Sequence, residues 1–261
     1  MAMPDLSQSP DLDFAALDLN FEAFRELARN PHLDAHGKIG FPTAYREGYE
    51  PAIFEDIVAK LPRLRSEGGL TVADIGAGCA GLPRMLIELC AQQGHRLILM
   101  DSAEMLEMLP DVEGVTRKIA GAFPASGPAL REAAPGGVDA LICYSVLHYM
   151  FVDTNLFDVV DATVDMLAPR GRALYGDIPN ISKRRRLFAS PTGKAVHRAY
   201  TGRDEDPPLE LDQRVHGKID DGVLSGMIHR AQAAGCDAYL LPQDDRLPMG
   251  NRRDDLLISR P

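Results

Sequence analysis

An acid two residues ahead of a glycine turn, Asp74-Ile75-Gly76-Ala77-Gly78-Cys79-Ala80-Gly81, is the first place in the chain where residue type and spacing can do chemistry. Glycine admits backbone angles closed to other residues and lets a ligand lie against the main chain. Gly76-x-Gly78-x-x-Gly81 matches a dinucleotide-binding turn, and Asp101 follows about twenty residues later as the acid for a ribose. His148 and Tyr149 form a second group. A histidine there can take a proton near neutral pH, or it can be structural, bonded to a neighbouring backbone group. Asp177 is a second candidate base. Lys183-Arg184-Arg185-Arg186, with Arg252 in a later loop, has the chemistry to grip a phosphate or carboxylate. The alternative is a solvated run of surface charge.

These residues need elements to place them. Leu70, Val72 and Ile75 read as a buried strand before the turn, and Leu82, Leu86, Ile87, Leu89 and Cys90 recur at helical spacing after it. Leu97-Ile98-Leu99-Met100 predicts a strand buried on both faces, as parallel sheets require. It ends at Asp101, at the carboxyl end where open α/β sheets bind ligands. Further strands are predicted at Val115 to Ala120, within Val138 to Tyr149 together with the turn that follows it, and at Ala173 to Asp177, with a helix through Phe157, Val160, Val164 and Leu167. Such alternation implies a parallel sheet with right-handed crossovers. Ahead of it, Asn20 can cap a helix carrying Phe21, Phe24, Leu27 and Ala28. A glycine-dense loop from Gly37 to Glu50 then holds Tyr45, Arg46 and Glu47, and Pro51 opens a second helix. Residues 1 to about 12 are polar and expected to be mobile. Residues 178 to about 218 are polar and punctuated by proline, and read as an irregular insertion of the kind that serves as a lid or binding loop. A helix with Val223, Leu224, Met227 and Ile228 and two closing strands, Ala238 to Pro242 and Asp255 to Ser259, complete the chain. The expected organisation is a helical N-terminal cover over 1–65, followed over 66–261 by a doubly wound α/β domain. Its sheet would have seven strands, mostly parallel, with an antiparallel last strand.

Acid-x-Gly-x-Gly, then an apolar strand ending Asp101-Ser102-x-x-Met105-Leu106, resembles the first two signature segments of the class I S-adenosylmethionine-dependent methyltransferases. Val138 to Tyr149 is similar to that family's fourth strand and following turn, and Leu167-Ala168-Pro169-Arg170-Gly171 resembles its Leu-x-Pro-Gly-Gly turn, with Arg170 in place of the first glycine. The resemblance implies S-adenosyl-L-methionine as cofactor, with Asp74, Gly76 and Gly78 shaping the methionine pocket and Asp101 holding the ribose. Ser102 is either a further contact or a helix cap. Where the family often supplies an acid for the adenine, the chain reads Gly121-Ala122-Phe123-Pro124, which leaves Phe123 and backbone groups to serve it. Amides at the helix start suit the cofactor's carboxylate, and Arg46 is a second partner for it. Tyr144 or Tyr149 can offer an aromatic face to a sulfonium. Gly176 to Lys183, with Arg252 and Arg253, resembles a bacterial subgroup found with surface-sugar biosynthesis. That implies a small anionic acceptor such as a sugar or sugar nucleotide, methylated at oxygen and held by Lys183, Arg184, Arg186 and Arg252.

The composition narrows the field. With 45% hydrophobic and 25% charged residues over 261 positions, the chain has the make-up of an ordinary globular domain. Its net charge of −10 argues against nucleic acid or an anionic membrane as partner. Cys143-Tyr144-Ser145-Val146 stands where base-modifying relatives carry Asp/Asn-Pro-Pro-Tyr/Phe, which also points away from nucleic acid. The four cysteines show no metal spacing and read as core thiols of a reducing compartment; a cytoplasmic enzyme without metal is the expectation. A non-catalytic cofactor-binding domain and a nicotinamide-dependent oxidoreductase are the competing readings.

Overall fold

Runs buried on both faces become the central strands, and the alternation along each strand sorts its side chains between two cores. In the computed structural model, which describes residues 19–41, 46–208 and 217–261, the strands are β1 (Thr71–Ile75), β2 (Arg96–Asp101), β3 (Thr116–Ala120), β4 (Val138–Tyr144), β5 (Leu167–Pro179), β6 (Asp237–Pro242) and β7 (Arg253–Ser259). They form one sheet in the order β3-β2-β1-β4-β5-β7-β6. The pairings from β3 through β5 are parallel. β7 runs antiparallel to both β5 and β6. This is the expected sheet.

Ile75, Met100, Leu141 and Tyr175 point to one face, while Val72, Leu97, Leu99 and Leu174 point to the other. The first face is covered by α9 (Leu156–Met166) and α12 (Asp221–Ala233), through Val160, Leu224 and Met227. The second is covered by α3 (Glu50–Lys60) and α5 (Gly81–Gln93), through Ile53, Ile57, Leu86 and Cys90. α3 therefore belongs to the core, with α4 (Arg63–Ser66) following it. The remaining N-terminal helices, α1 (Phe21–Arg29) and α2 (Ala35–Lys38), lie over the carboxyl end of the sheet near α6 (Ala103–Glu107). Asn20 caps α1 as expected, accepting from the Ala23 amide. α7 (Gly127–Ala133) and α8 (Leu147–Asp153) follow β3 and β4.

The insertion after β5 differs from the irregular loop that its composition predicts. It contains two helices, α10 (Ile181–Ala189) and α11 (Pro191–Thr201). Asn180 caps the first through the Ser182 and Lys183 amides, and Ser190 caps the second through the Gly193 amide. The polar N-terminal stretch, Tyr45 and residues 209–216 of the insertion lie outside the described residues. No described helix is long and apolar enough to cross a membrane. All four cysteines are buried and unpaired.

Candidate functional site

The strand order reverses between β1 and β4, and the crevice outside their carboxyl ends is where open α/β sheets hold ligands. A cavity of about 440 Å³ occupies it. Its floor is the glycine turn after β1. Gly76 and Gly78 both have positive φ, at 70° and 66°. A Cβ on Gly76 would lie 2.6 Å from Val146 Cγ2, and one on Gly78 would lie 2.8 Å from Ile39 Cγ2. Only glycine fits at either position. Asp101 closes one side: its Oδ2 accepts from the Gly78 amide at 2.8 Å and its Oδ1 from the Ser102 amide at 2.6 Å. A carboxylate offers about four lone-pair positions, so two remain for ligand hydroxyls. Phe123 supplies a flat apolar wall next to Asp101, and Phe21 and Phe24 of α1 form the roof.

No protein-family model matches the chain, and no curated protein matches it in sequence. Solved structures do match. The plantazolicin methyltransferase BamL, in complex with a triazolic desmethyl-plantazolicin analogue and S-adenosylhomocysteine, has a TM-score of 0.57 at 11% identity, over 92% of this chain and 99% of that one. The plantazolicin methyltransferase BpumL, in complex with S-adenosylhomocysteine, gives 0.53 at 12% identity over 92% and 96%. The N-methyltransferase NodS of Bradyrhizobium japonicum WM9, with the same ligand, gives 0.52 at 14% identity over 92% and 98%. The fold is that of the class I S-adenosylmethionine-dependent methyltransferases. Its antiparallel β7, inserted between β5 and β6, separates it from the wholly parallel dinucleotide-binding sheet.

Within this methyltransferase fold, Gly76, Gly78, Asp101, Phe123, Tyr144, Tyr149 and Arg46 all line the cavity. Asp74 is not among the lining residues. It is buried within β1, where burial and then the charge of Asp101 raise its carboxyl to about 7. Ser102 is a helix cap: its Oγ accepts from the Met105 amide at the start of α6. His148 is not among the lining residues; its ring lies 4.0 Å from that of Tyr149. Its Nδ1 is buried without a hydrogen-bond partner among the described residues, and burial followed by the charges of Arg253, Lys218 and Arg46 lowers its pKa to about 3. An imidazole so depressed is a poor base at neutral pH.

The basic run does not reach the cavity either. Lys183 Nζ bonds Asp254 Oδ1 at 2.8 Å and the Arg253 carbonyl at 2.6 Å. Arg186 pairs with Asp221 at the start of α12. Arg184 and Arg252 lie over the ring of Phe188, at 5.3 and 5.9 Å. These contacts tie α10 to β7 and α12, and none of the four residues lines the cavity.

Three further residues stand where chemistry is possible. Glu50, the first residue of α3, lines the cavity and accepts the Gly81 amide at 2.9 Å. That amide opens α5, so the helix start expected to receive a ligand carboxylate already holds one. Ser145 follows β4, is buried, lines the cavity and has φ 62°. Its Oγ accepts from Arg46 Nη2 at 2.7 Å and donates to Asp177 Oδ2 at 2.5 Å. Asp177 has φ 57°, and its amide donates to Asp255 Oδ1 at 2.8 Å. The third residue is Phe41, whose ring lies 4.5 Å from the guanidinium of Arg46 while that of Tyr144 lies 5.6 Å away. Arg46 is thus 7% exposed between two rings, with a neutral hydroxyl as its hydrogen-bond partner. Glu50 closes the glycine-dense loop visible in the sequence, whereas Ser145 has no sequence signal of its own.

Proposed function

We propose that this chain transfers a methyl group from S-adenosyl-L-methionine to a small acceptor bound in the same cavity. The observation that carries the reading is the pairing of Asp101 with the glycine turn at the switch point: a carboxylate with two lone-pair positions left, beside a backbone that no side chain obstructs. When bound, the cofactor supplies a methyl group on a sulfonium, a good leaving group, so alignment and exclusion of water provide much of the acceleration. Asp101 takes the ribose hydroxyls and Phe123 stacks on the adenine. Arg46, buried and without an anionic partner among the described residues, takes the carboxylate of the methionine end, while Glu50 takes the ammonium. The roof of Phe21 and Phe24 keeps water out.

Calorimetric titration of S-adenosylhomocysteine and NADH tests this reading. The expected result is micromolar binding of S-adenosylhomocysteine, weakened at least about tenfold by Asp101→Ala, since hydrogen bonds to a charged group are worth about 1.5–3 kcal/mol. NADH is expected not to bind. Binding of NADH alone would refute the proposal. Binding without transfer to any acceptor would favour a cofactor-binding domain, because function lives in the site and not in the fold.

A further inference from the structure

Ser145 has a hydrogen-bonding capacity that its partners do not exhaust. A hydroxyl has one proton to give and two lone pairs to accept with. Asp177 takes the proton at 2.5 Å and Arg46 fills one lone pair at 2.7 Å. Among the described residues nothing else bonds it, so one acceptor position remains on a residue of the cavity lining. Both Ser145 and Asp177 hold left-handed backbone conformations, φ 62° and 57°, in which non-glycine residues are uncommon and which concentrate at functional sites. Asp177 is fixed there by its amide bond to Asp255, itself paired with Lys60 of α3 at 2.6 Å. Around the pair stand Arg46 from the N-terminal loop, Arg253 of β7 with its Nε 3.6 Å from Asp177 Oδ1, and Tyr144 of β4.

From this geometry we infer that Ser145 is a catalytic residue that takes the proton of the acceptor, that Asp177 receives the proton of Ser145 in turn, and that the acceptor is a neutral phenol. The inference rests on the methyltransferase reading and specifies its second substrate. A relay for a proton serves an acceptor that must lose one as it attacks. An amine does not need it, since its free base attacks through a lone pair. A phenol does, and unlike an aliphatic alcohol it is acidic enough for a carboxylate relay to help. The lining fits the rest of such a molecule. Phe24 and Tyr149 meet edge to face with centroids 4.7 Å apart, and Phe41 and Tyr144 flank Arg46. Among the described lining residues the charges are Arg46 against Glu50, Asp101 and Asp153, a balance that does not welcome an anion. In the step itself the phenol proton passes to Ser145 Oγ and the proton of Ser145 to Asp177 Oδ2. The phenol oxygen bonds the methyl carbon, and the methyl–sulfur bond breaks with its electron pair staying on sulfur. A neutral thioether, an aryl methyl ether and a protonated Asp177 remain, and that proton then leaves to water.

Three probes of one shape test the inference: 4-nitrophenol, 4-nitroaniline and 4-nitrobenzoate, each titrated into the protein saturated with S-adenosylhomocysteine. The phenol is expected to bind at least about tenfold more tightly than the benzoate and to ionise at higher pH than in free solution, by about one unit, because its neutral form donates into the Ser145–Asp177 pair and the carboxylate opposes its anion; the phenolate absorbance reads the shift. Asp177→Asn keeps the shape and removes the proton acceptor, so the bound phenol should return to its free ionisation while S-adenosylhomocysteine affinity stays within about threefold. Ser145→Ala should do the same to the ionisation and serves if the first variant fails to fold. With S-adenosylmethionine, mass spectrometry should show the methyl ether of the phenol and its loss in both variants. A preference for the benzoate or the aniline, no binding of the phenol, or an ionisation indifferent to both variants would overturn the inference and leave the cofactor reading standing. Failure of S-adenosylhomocysteine to bind the native protein would overturn both.

Discussion

Asp74 is a buried carboxyl whose pKa of about 7 has a consequence for stability. Its folded value lies above the unfolded 3.8, so the folded state binds the extra proton between them. The charge costs nothing below about pH 4, and the cost is fully present once pH has risen through about 7. Asp74→Asn is therefore expected to leave denaturant stability unchanged near pH 4 and to raise it at pH 8 by on the order of 2 kcal/mol; urea titrations at the two pH values read the difference. Arg46 and Glu50 call for a different measurement, because they would grip the same end of the cofactor. Arg46→Ala should weaken S-adenosylhomocysteine by about 10- to 100-fold, the worth of a charged hydrogen bond, yet barely change 5′-methylthioadenosine, which lacks the amino-acid end. Glu50→Gln should show the same discrimination. Equal losses for both nucleosides would place these residues elsewhere than on the methionine.

At the scale of elements, the turn into the parallel part of β5 carries Arg170 at φ 62°, a conformation that glycine adopts without strain. An L side chain costs about 1–2 kcal/mol in this conformation. The side chain is 70% exposed, and its pairing with Glu67 at 3.4 Å contributes little. Arg170→Gly is expected to stabilise the protein by about 0.5–1 kcal/mol, the relief being partly offset by the freer unfolded chain; thermal denaturation checks it. The central strands were legible because burial on both faces leaves an apolar run in the sequence, and Asp101 and the glycines were legible because strand ends fix where they stand. α10 was not, since it buries none of its residues and so prints no apolar stripe. Its only marks are its cap, Asn180, and the Ser190-Pro191 pair that opens α11. Ser145 escaped for another reason. What distinguishes it is a backbone angle and an acid 32 positions away, neither of which has a local pattern. Lys183 was visible, but its partner Asp254 lies 71 positions on, so its commitment to β7 was not.

Across the whole molecule, the N-terminal cover is fastened by charge. Glu104 of α6 accepts from Arg25 Nη2 at 3.0 Å and also pairs with Arg29, both on α1, while the Phe21 amide bonds Asp153 Oδ2 of α8 at 3.0 Å. Arg25 first, then backbone and Arg29, holds the Glu104 carboxyl down at about 2. Since its unfolded value is 4.5, this fastening is complete above pH 4.5 and fades as pH falls toward 2. Glu104→Gln should speed amide hydrogen exchange in α1 at pH 7 by up to about fivefold, the scale of a surface ion pair, with exchange in β1 and β4 unchanged. High salt should reproduce part of the effect in the native protein. The carboxylate that Glu50 places on the Gly81 amide has a larger reach. A helix start is ordinarily a phosphate trap, and here it comes already neutralised. Inorganic phosphate, sulfate and the pyrophosphates of the abundant nucleotide pool all meet a negative charge at that helix start. For the adenosyl ligand proposed above, the pocket thereby disfavours its phosphorylated relatives before any contact with the base is made.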